Sequence, residues 1–404
     1  MKKIIITIPT YWGWPTGEQE HSDDGIFDHP TPLDTEGTLR RTLESLKFLE
    51  SVSFEVLLIT ATVNPLLNDA VEKRVDEIIA PFKQIYPITQ FSSSDLLLVR
   101  KYLQKKGIDP TLISLKTYAG IRNCQLIGSL LLGADLIAAI DDDEVVPENY
   151  LMNAVKFAGT ARQDKRVDGI AGVYLDKEGG YWVSEPSGAR RASNIFRKKM
   201  AIMNDQFALY MEHPDRILES VIALGGNMVF TEELFMNVPF DPGITRGEDI
   251  DYLMNSRLLG YNWFFDRELY ITHLPPRSAN DEKALISSYS RLQQDIIRFM
   301  YQREKLAYSQ QSPDLRSLDA EDFGLYPGYF LKDNLDEHAF AALTELRPAG
   351  LDESFFPSPE VIMEKARERT GMAHDFFSFT EEWKKLMRVL KESKELKEYM
   401  RKKL

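Results

Sequence analysis

Four carboxylates follow one another at the end of an apolar run, Ile140-Asp141-Asp142-Asp143-Glu144. Their mutual repulsion suits a plain turn poorly, and their oxygens suit a hard divalent cation such as Mg2+ or Mn2+. With a formal net charge of −13, the chain must place local positive charge wherever it holds phosphate, and a metal ion would also stabilise a leaving diphosphate. The alternative is a solvated turn between a strand and a helix. Three further groupings come later in the chain. Leu224-Gly225-Gly226-Asn227 precedes a short apolar run, and paired glycines let backbone approach a neighbour closely or form a tight turn or bulge. Gly247-Glu248-Asp249 opens a helical pattern; a carboxylate there either complements the helix dipole or takes a proton from a substrate hydroxyl. His273 follows the strand-like Leu269-Tyr270-Ile271-Thr272 and is either a structural residue or a ligand.

The elements that must position these groups alternate between β and α patterns. Residues 4–9 read as a strand and residues 38–49 as a helix with Leu39, Leu43, Leu46 and Leu49 on one face. Residues 54–60 read as a strand, 64–82 as a helix, and 92–107 as a helix with Ser94 at its N-cap and Gly107 past its end. A helix over 118–132 then leads into the apolar strand 136–140. Short apolar runs joined by helices predict an α/β fold with a mostly parallel sheet covered on both faces. Such sheets bind ligands at the carboxyl ends of their strands, where the acidic run stands. Residues 11–37 show no periodicity and form a long loop, of a kind that is usually functional. Within it Trp12 and Trp14 suit stacking on a sugar or base, or packing, and residues 18–29 read as a solvated stretch or a second metal site. Beyond Leu274-Pro275-Pro276 the pattern is helical (281–308, 359–370, 379–404), which predicts a boundary near Pro275 between regions 1–275 and 276–404.

Composition narrows the function classes. Hydrophobic residues at 43% and aromatic residues at 11% mark a globular chain. No apolar run approaches the roughly 20 residues of a membrane span. Lys2-Lys3 leads straight into a strand with no leader pattern, and a single cysteine, Cys124, cannot form an internal disulfide; both point to the cytoplasm. The acidic balance argues against nucleic acid as a partner. The basic segment 383–404 carries Trp383, Leu386, Met387, Leu390, Leu396 and Met400 near one face. Such a face packs on its own protein, packs on a second copy in a homo-oligomer, or lies on an anionic membrane. Arg190-Arg191 and Arg197-Lys198-Lys199 are either a solvated charge run or a site for an anionic acceptor.

Taken in order, the acidic run, the glycine pair, the Glu-Asp helix start and the histidine make residues 3–273 resemble GT-A glycosyltransferases, particularly those like family 2 of the nucleotide-diphospho-sugar transferases. The resemblance implies a mixed, mostly parallel sheet flanked by helices, here followed by a helical C-terminal region. It implies metal-dependent, inverting transfer of a sugar, a hexose, from a UDP- or GDP-sugar to an acceptor hydroxyl, with Mn2+ or Mg2+ as cofactor. Ile8-Pro9-Thr10-Tyr11 resembles the family's opening strand, which gives Pro9, Thr10 and Tyr11 to the nucleotide. Gly120-Ile121-Arg122-Asn123 resembles the helix start that precedes the metal motif, which gives Arg122 to the donor. Asp141-Asp142-Asp143 matches the Asp-x-Asp motif: Asp143 reaches the metal, and Asp141 or Asp142 is the first member. Gly225 and Gly226 resemble the segment beside the donor sugar. Asp249 matches the base of inverting members, with Glu248 beside it, and His273 stands where many members touch the metal or diphosphate. The chain departs from the family at Thr60-Ala61-Thr62-Val63-Asn64, where many members have an acidic residue for the base, and in the length of residues 11–37. A nucleotidyltransferase of related fold is one rival, although residues 9–17 lack the basic, Gly-rich loop it would carry. A non-catalytic nucleotide-sugar-binding or scaffold protein is the other.

Overall fold

A computed structural model describes residues 2–18, 24–25, 27–49, 52–276, 281–347 and 356–404, with residues 281–287 described as backbone only. The middle of the acidic, histidine-bearing stretch 18–29 lies outside the described residues. In chain order the strands are β1 (Ile4–Gly13), β2 (Thr31–Pro32), β3 (Phe54–Thr62), β4 (Ile88–Phe91), β5 (Leu136–Ala139), β6 (Glu144–Val145), β7 (Ala161–Arg162), β8 (Lys165–Arg166), β9 (Gly169–Leu175), β10 (Ile217–Glu219), β11 (Met228–Thr231) and β12 (Trp263–His273). Among the described residues all but the β7–β8 hairpin join one sheet. Its order is β10-β12-β9-β11-β5-β1-β3-β4, with β2 beside β1 and β6 beside β12.

The half built from β5, β1, β3 and β4 is parallel, and β11 enters antiparallel between β5 and β9. Parallel strands buried on both faces need continuous apolar runs, which Ile4-Ile5-Ile6 and Val56-Leu57-Leu58-Ile59 supply. The sheet is flanked by helices, among them Asn68–Ile79, Tyr118–Leu132 and Tyr150–Phe157, so the mixed, mostly parallel α/β architecture expected from the sequence is the one found.

Three local expectations change. The strand begun at Ile4 runs on to Gly13, and β2 pairs parallel with its end (Trp12 with Thr31), so residues 11–37 hold two pieces of sheet. Trp12 is fully buried in the core, whereas the Trp14 indole donates to Asp24 Oδ2 at 2.8 Å. The third helix, Ser93–Lys105, is capped by Ser92 rather than Ser94, because Asp95 accepts from the Ser92 backbone at 2.8 Å in a capping box.

The C-terminal helices Asp281–Ser309, Leu335–Leu346, Pro359–Thr370, Ala373–Glu392 and Lys394–Lys402 pack on this sheet domain. Lys305, fully buried, donates to Asp241, Asp251 and Asn255 and fastens the first of them to helix Glu248–Leu258. The Trp383 indole donates to the Phe235 carbonyl at 3.2 Å, and Lys403 and Tyr399 both reach Asp95. Trp383, Leu386, Met387, Leu390, Leu396 and Met400 are buried in the chain's own core, so the amphipathic face weighed for a membrane is already covered. Among the described residues no helix is long and apolar enough to cross a membrane.

Candidate active site

The acidic turn begins where β5 ends, with the Ile140 amide donating to the Thr7 carbonyl at 3.0 Å. Three residues later the chain re-enters the sheet as β6, which pairs antiparallel with the end of β12 so that Glu144 faces His273. That two-residue pairing sets Asp143 Oδ2 at 3.3 Å from His273 Nε2. Helix Leu39–Ser45 braces the turn. Arg41 donates to the carbonyls of Asp143 and Leu274, and the Thr42 hydroxyl bridges the carbonyls of Asp142 and Glu144 at 2.8 and 2.7 Å. Burial disfavours a charged imidazole, but the hydrogen bond and charge of Asp143 outweigh it, and the His273 pKa is raised.

The four carboxylates have different partners. Asp142 Oδ2 accepts from the Thr10 hydroxyl at 2.7 Å, and burial pushes its pKa up to about 7. Asp141 faces Arg122, whose Nη2 lies 2.9 Å from Oδ1. Glu144 is turned inward and fully buried, accepts from the Asp141 amide at 2.8 Å, and has its pKa raised by burial and then by Asp141 and Asp143. Asp143 and His273 are therefore the pair left facing each other. Among the described residues no group of three or more His, Cys, Asp and Glu side chains forms a metal cage.

Arg122, 4% exposed, sits between two motifs. It holds Asp141 on one side, and its Nε lies 3.4 Å from Glu248 Oε1 on the other. Glu248 is buried as well, and burial followed by the charge of Asp249 raises its pKa against the pull of Arg122. Asp249, half-buried in the first turn of helix Glu248–Leu258, accepts from the Gly225 amide at 3.0 Å and the Ile250 amide at 2.7 Å. Two backbone donors thus hold that carboxylate in one orientation.

The glycine pair threads between these side chains. A Cβ on Gly225 would stand 2.5 Å from Arg122 Nη2, and one on Gly226 would stand 2.1 Å from Glu144 Oε1. The Gly226 amide donates to the Tyr174 hydroxyl at 2.6 Å, and Asn227, fully buried, ties the segment to the carbonyls of Val173 and Leu269. The close approach expected of the pair is therefore, in the first place, an approach to the protein's own charged groups. Gly226→Ala is expected to lower unfolding stability by about 1–3 kcal/mol, because the buried Glu144 carboxyl has nowhere to move. The midpoint of urea denaturation measures it, and an unchanged midpoint would show that Glu144 can swing away.

Toward the end of β1, Pro9 and Thr10 lie in register with Ile59 and Thr60, and the half-buried Tyr11 joins an aromatic group with the buried Phe27 and the half-buried Tyr118. Its ring centroid is 4.8 Å from Phe27 and 5.4 Å from Tyr118. The Asp28 amide donates to the Tyr118 hydroxyl at 2.6 Å, and the Asp28 carboxylate lies 3.6 Å from Arg246. Arg41, Thr42, Phe27, Tyr118 and Tyr174 are site residues that the sequence reading missed. Only Tyr118 had a nearby signal, standing two residues before Gly120-Ile121-Arg122.

No family model matches the chain, and no curated protein matches it. Solved structures resemble it loosely. A mannosyltransferase, PcManGT from Pyrobaculum calidifontis in complex with GDP-Man and Mn2+, is 13% identical with a TM-score of 0.44, over 96% of this chain and 84% of that one. GalNAc-T7 with UDP, GalNAc and Mn2+ is 12% identical with a TM-score of 0.40, over 88% of this chain and 58% of that one. Residues 1–349 of S. aureus TarS in complex with UDP are 11% identical with a TM-score of 0.39, over 94% and 91%. All three TM-scores lie below 0.5, so the roles of residues in this chain rest on its own geometry.

Proposed function

We propose that the chain is a metal-dependent glycosyltransferase of the GT-A type, moving a hexose from a UDP- or GDP-sugar to an acceptor hydroxyl with inversion. One observation carries this reading: Arg122 joins the acidic turn to the Glu-Asp helix start, and the glycine pair lies against both, at the carboxyl end of β5. The exposed parts of the Tyr11 and Tyr118 rings, packed on the buried Phe27, would take the nucleotide base beside them.

Asp143 and His273 would hold the ion. A carboxylate oxygen and an imidazole nitrogen 3.3 Å apart, pinned by strand pairing, suit Mn2+ or Mg2+. Ions of this kind take one or two protein carboxylates and complete their shell with water and phosphate oxygens, so a two-residue site is sufficient. Bound there, the ion supplies charge neutralisation to the leaving diphosphate. Asp249 takes the proton of the acceptor hydroxyl; its two backbone donors keep the carboxylate aimed, and the helix N-terminus favours its charge. Arg122 pairs with both Asp141 and Glu248, opposing the rise that burial imposes on their pKa values, and so ties the turn to the start of the base-bearing helix.

Calorimetric titration of nucleoside diphosphates tests the ion's place. Affinity is expected to be at least about tenfold higher in Mn2+ than in EDTA, and Asp143→Ala should abolish the difference. Equal affinity of the native chain in both buffers would remove the metal from the reading.

A further inference from the structure

Helices Asp281–Ser309 and Pro359–Thr370 line, with residues 243–245, a pocket of about 310 Å³ that is open to solvent on one side. Its walls carry three cations, Arg298, Lys365 and Arg369, against one carboxylate, Glu368. That balance departs from a chain whose net charge is −13. Arg298 is 4% exposed; its Nη2 donates to Asp295 and the Tyr326 hydroxyl, while Nε and Nη1 have no hydrogen-bond partner. Arg369 points Nη1 at Met372 Sδ, 4.0 Å away, and among the described residues neither it nor Lys365 forms an ion pair. Of the three only Arg298 is buried, and its idle donors cost free energy unless a ligand completes them; Arg369 is half-buried over the Tyr301 ring, and Lys365 is exposed at the rim. The cationic run weighed earlier for an anionic acceptor is different: Arg190 pairs with Glu185 and Asp205, Arg197 with Glu345, and Lys199 with Asp295.

The cavity also borders the catalytic segment. Residues 243–245 form part of its wall and lead directly into Gly247-Glu248-Asp249. Gly247, at φ +74°, has the Arg298 guanidinium so close that a Cβ would stand 2.7 Å from its carbon. An anion held by Arg298 is therefore gripped by a residue in contact with the start of the base-bearing helix.

We propose that this cavity binds a phosphate group borne by the acceptor, so that the enzyme glycosylates phosphorylated acceptors. Three guanidinium and ammonium groups around one small space match a dianion with several acceptor oxygens. The word acceptor rests on the glycosyltransferase reading; the anion site itself does not.

The test uses the full chain and calorimetric titration with inorganic phosphate, glycerol 3-phosphate and glycerol. Saturable binding of both phosphates but not of glycerol is expected, weakened about tenfold or more in the double variant Lys365→Met/Arg369→Met. Absence of saturable binding, or equal affinity in the variant, overturns the site. Binding of inorganic phosphate with exclusion of the ester assigns a free ion and overturns the acceptor role. A parallel titration of the native chain with nucleoside diphosphate in Mn2+ reads the glycosyltransferase proposal separately, so either failure is recognised by itself.

Discussion

Asp249→Asn is expected to slow sugar transfer by roughly 10²-fold or more while donor affinity changes little, as for the loss of a general base. The substitution keeps size and shape and removes the basic oxygen. Asp249 accepts from both Gly225 and Ile250, and asparagine retains one acceptor oxygen for the two amides. A modest stability loss of about 1 kcal/mol should accompany the kinetic effect. The two consequences separate the roles. If Asp249 only organised the helix start, stability would fall and transfer per folded molecule would stay near normal. Single-turnover transfer measured alongside urea denaturation distinguishes them, and near-normal transfer would leave Glu248 or a retaining mechanism to be considered.

Arg122→Met is expected to be the most destabilising single change in the site. It leaves the buried Glu248 and the half-buried Asp141 without their shared cation, and breaking a buried pair by removing one partner typically costs about 3–5 kcal/mol. The pH dependence gives the cause away. Burial already raises the pKa values of both carboxylates, and Arg122 opposes that rise. Without Arg122 the folded-state values climb further above the unfolded ones. A carboxylate of raised pKa contributes stability below its unfolded pKa and loses it as pH rises through the folded value. The gap between native chain and variant should therefore be largest at neutral pH and shrink on acidification toward the ordinary carboxylate range. A gap independent of pH would mean that the aliphatic packing of Arg122, and not its charge, holds the two motifs together.

Much of the positioning frame was legible because it is local. The first strand, the buried helix Tyr118–Leu132, the apolar strand before Asp141 and the helix opened by Gly247 each carry their own periodicity or punctuation. The meeting of Asp143 with His273 is not local: it depends on two residues of β6 pairing with β12, too short a run to mark itself. Arg41 and Thr42 look like ordinary polar residues of a surface helix, and nothing nearby says that their partners are carbonyls of the acidic turn. Lys305 likewise reads as a solvated lysine in an amphipathic helix, yet it is buried among carboxylates of a distant element. The Ser92 cap was legible, since Asp95 three residues on completes a capping box; Ser94 merely stood closer to the apolar run. The face of Trp383, Leu386 and Leu390 shows the limit of periodicity itself, which marks an apolar stripe and leaves its partner unnamed.

Sugar transfer is read most directly by free nucleoside diphosphate. The full chain would be incubated with UDP- and GDP-sugars, or with nucleoside triphosphates and sugar phosphates, in Mn2+, and the products separated by anion exchange. The expected result is release of nucleoside diphosphate from at least one nucleotide sugar, stopped by EDTA and by Asp143→Ala. Consumption of a triphosphate with release of pyrophosphate, and no turnover of any nucleotide sugar, would contradict glycosyl transfer and make the chain a nucleotidyltransferase.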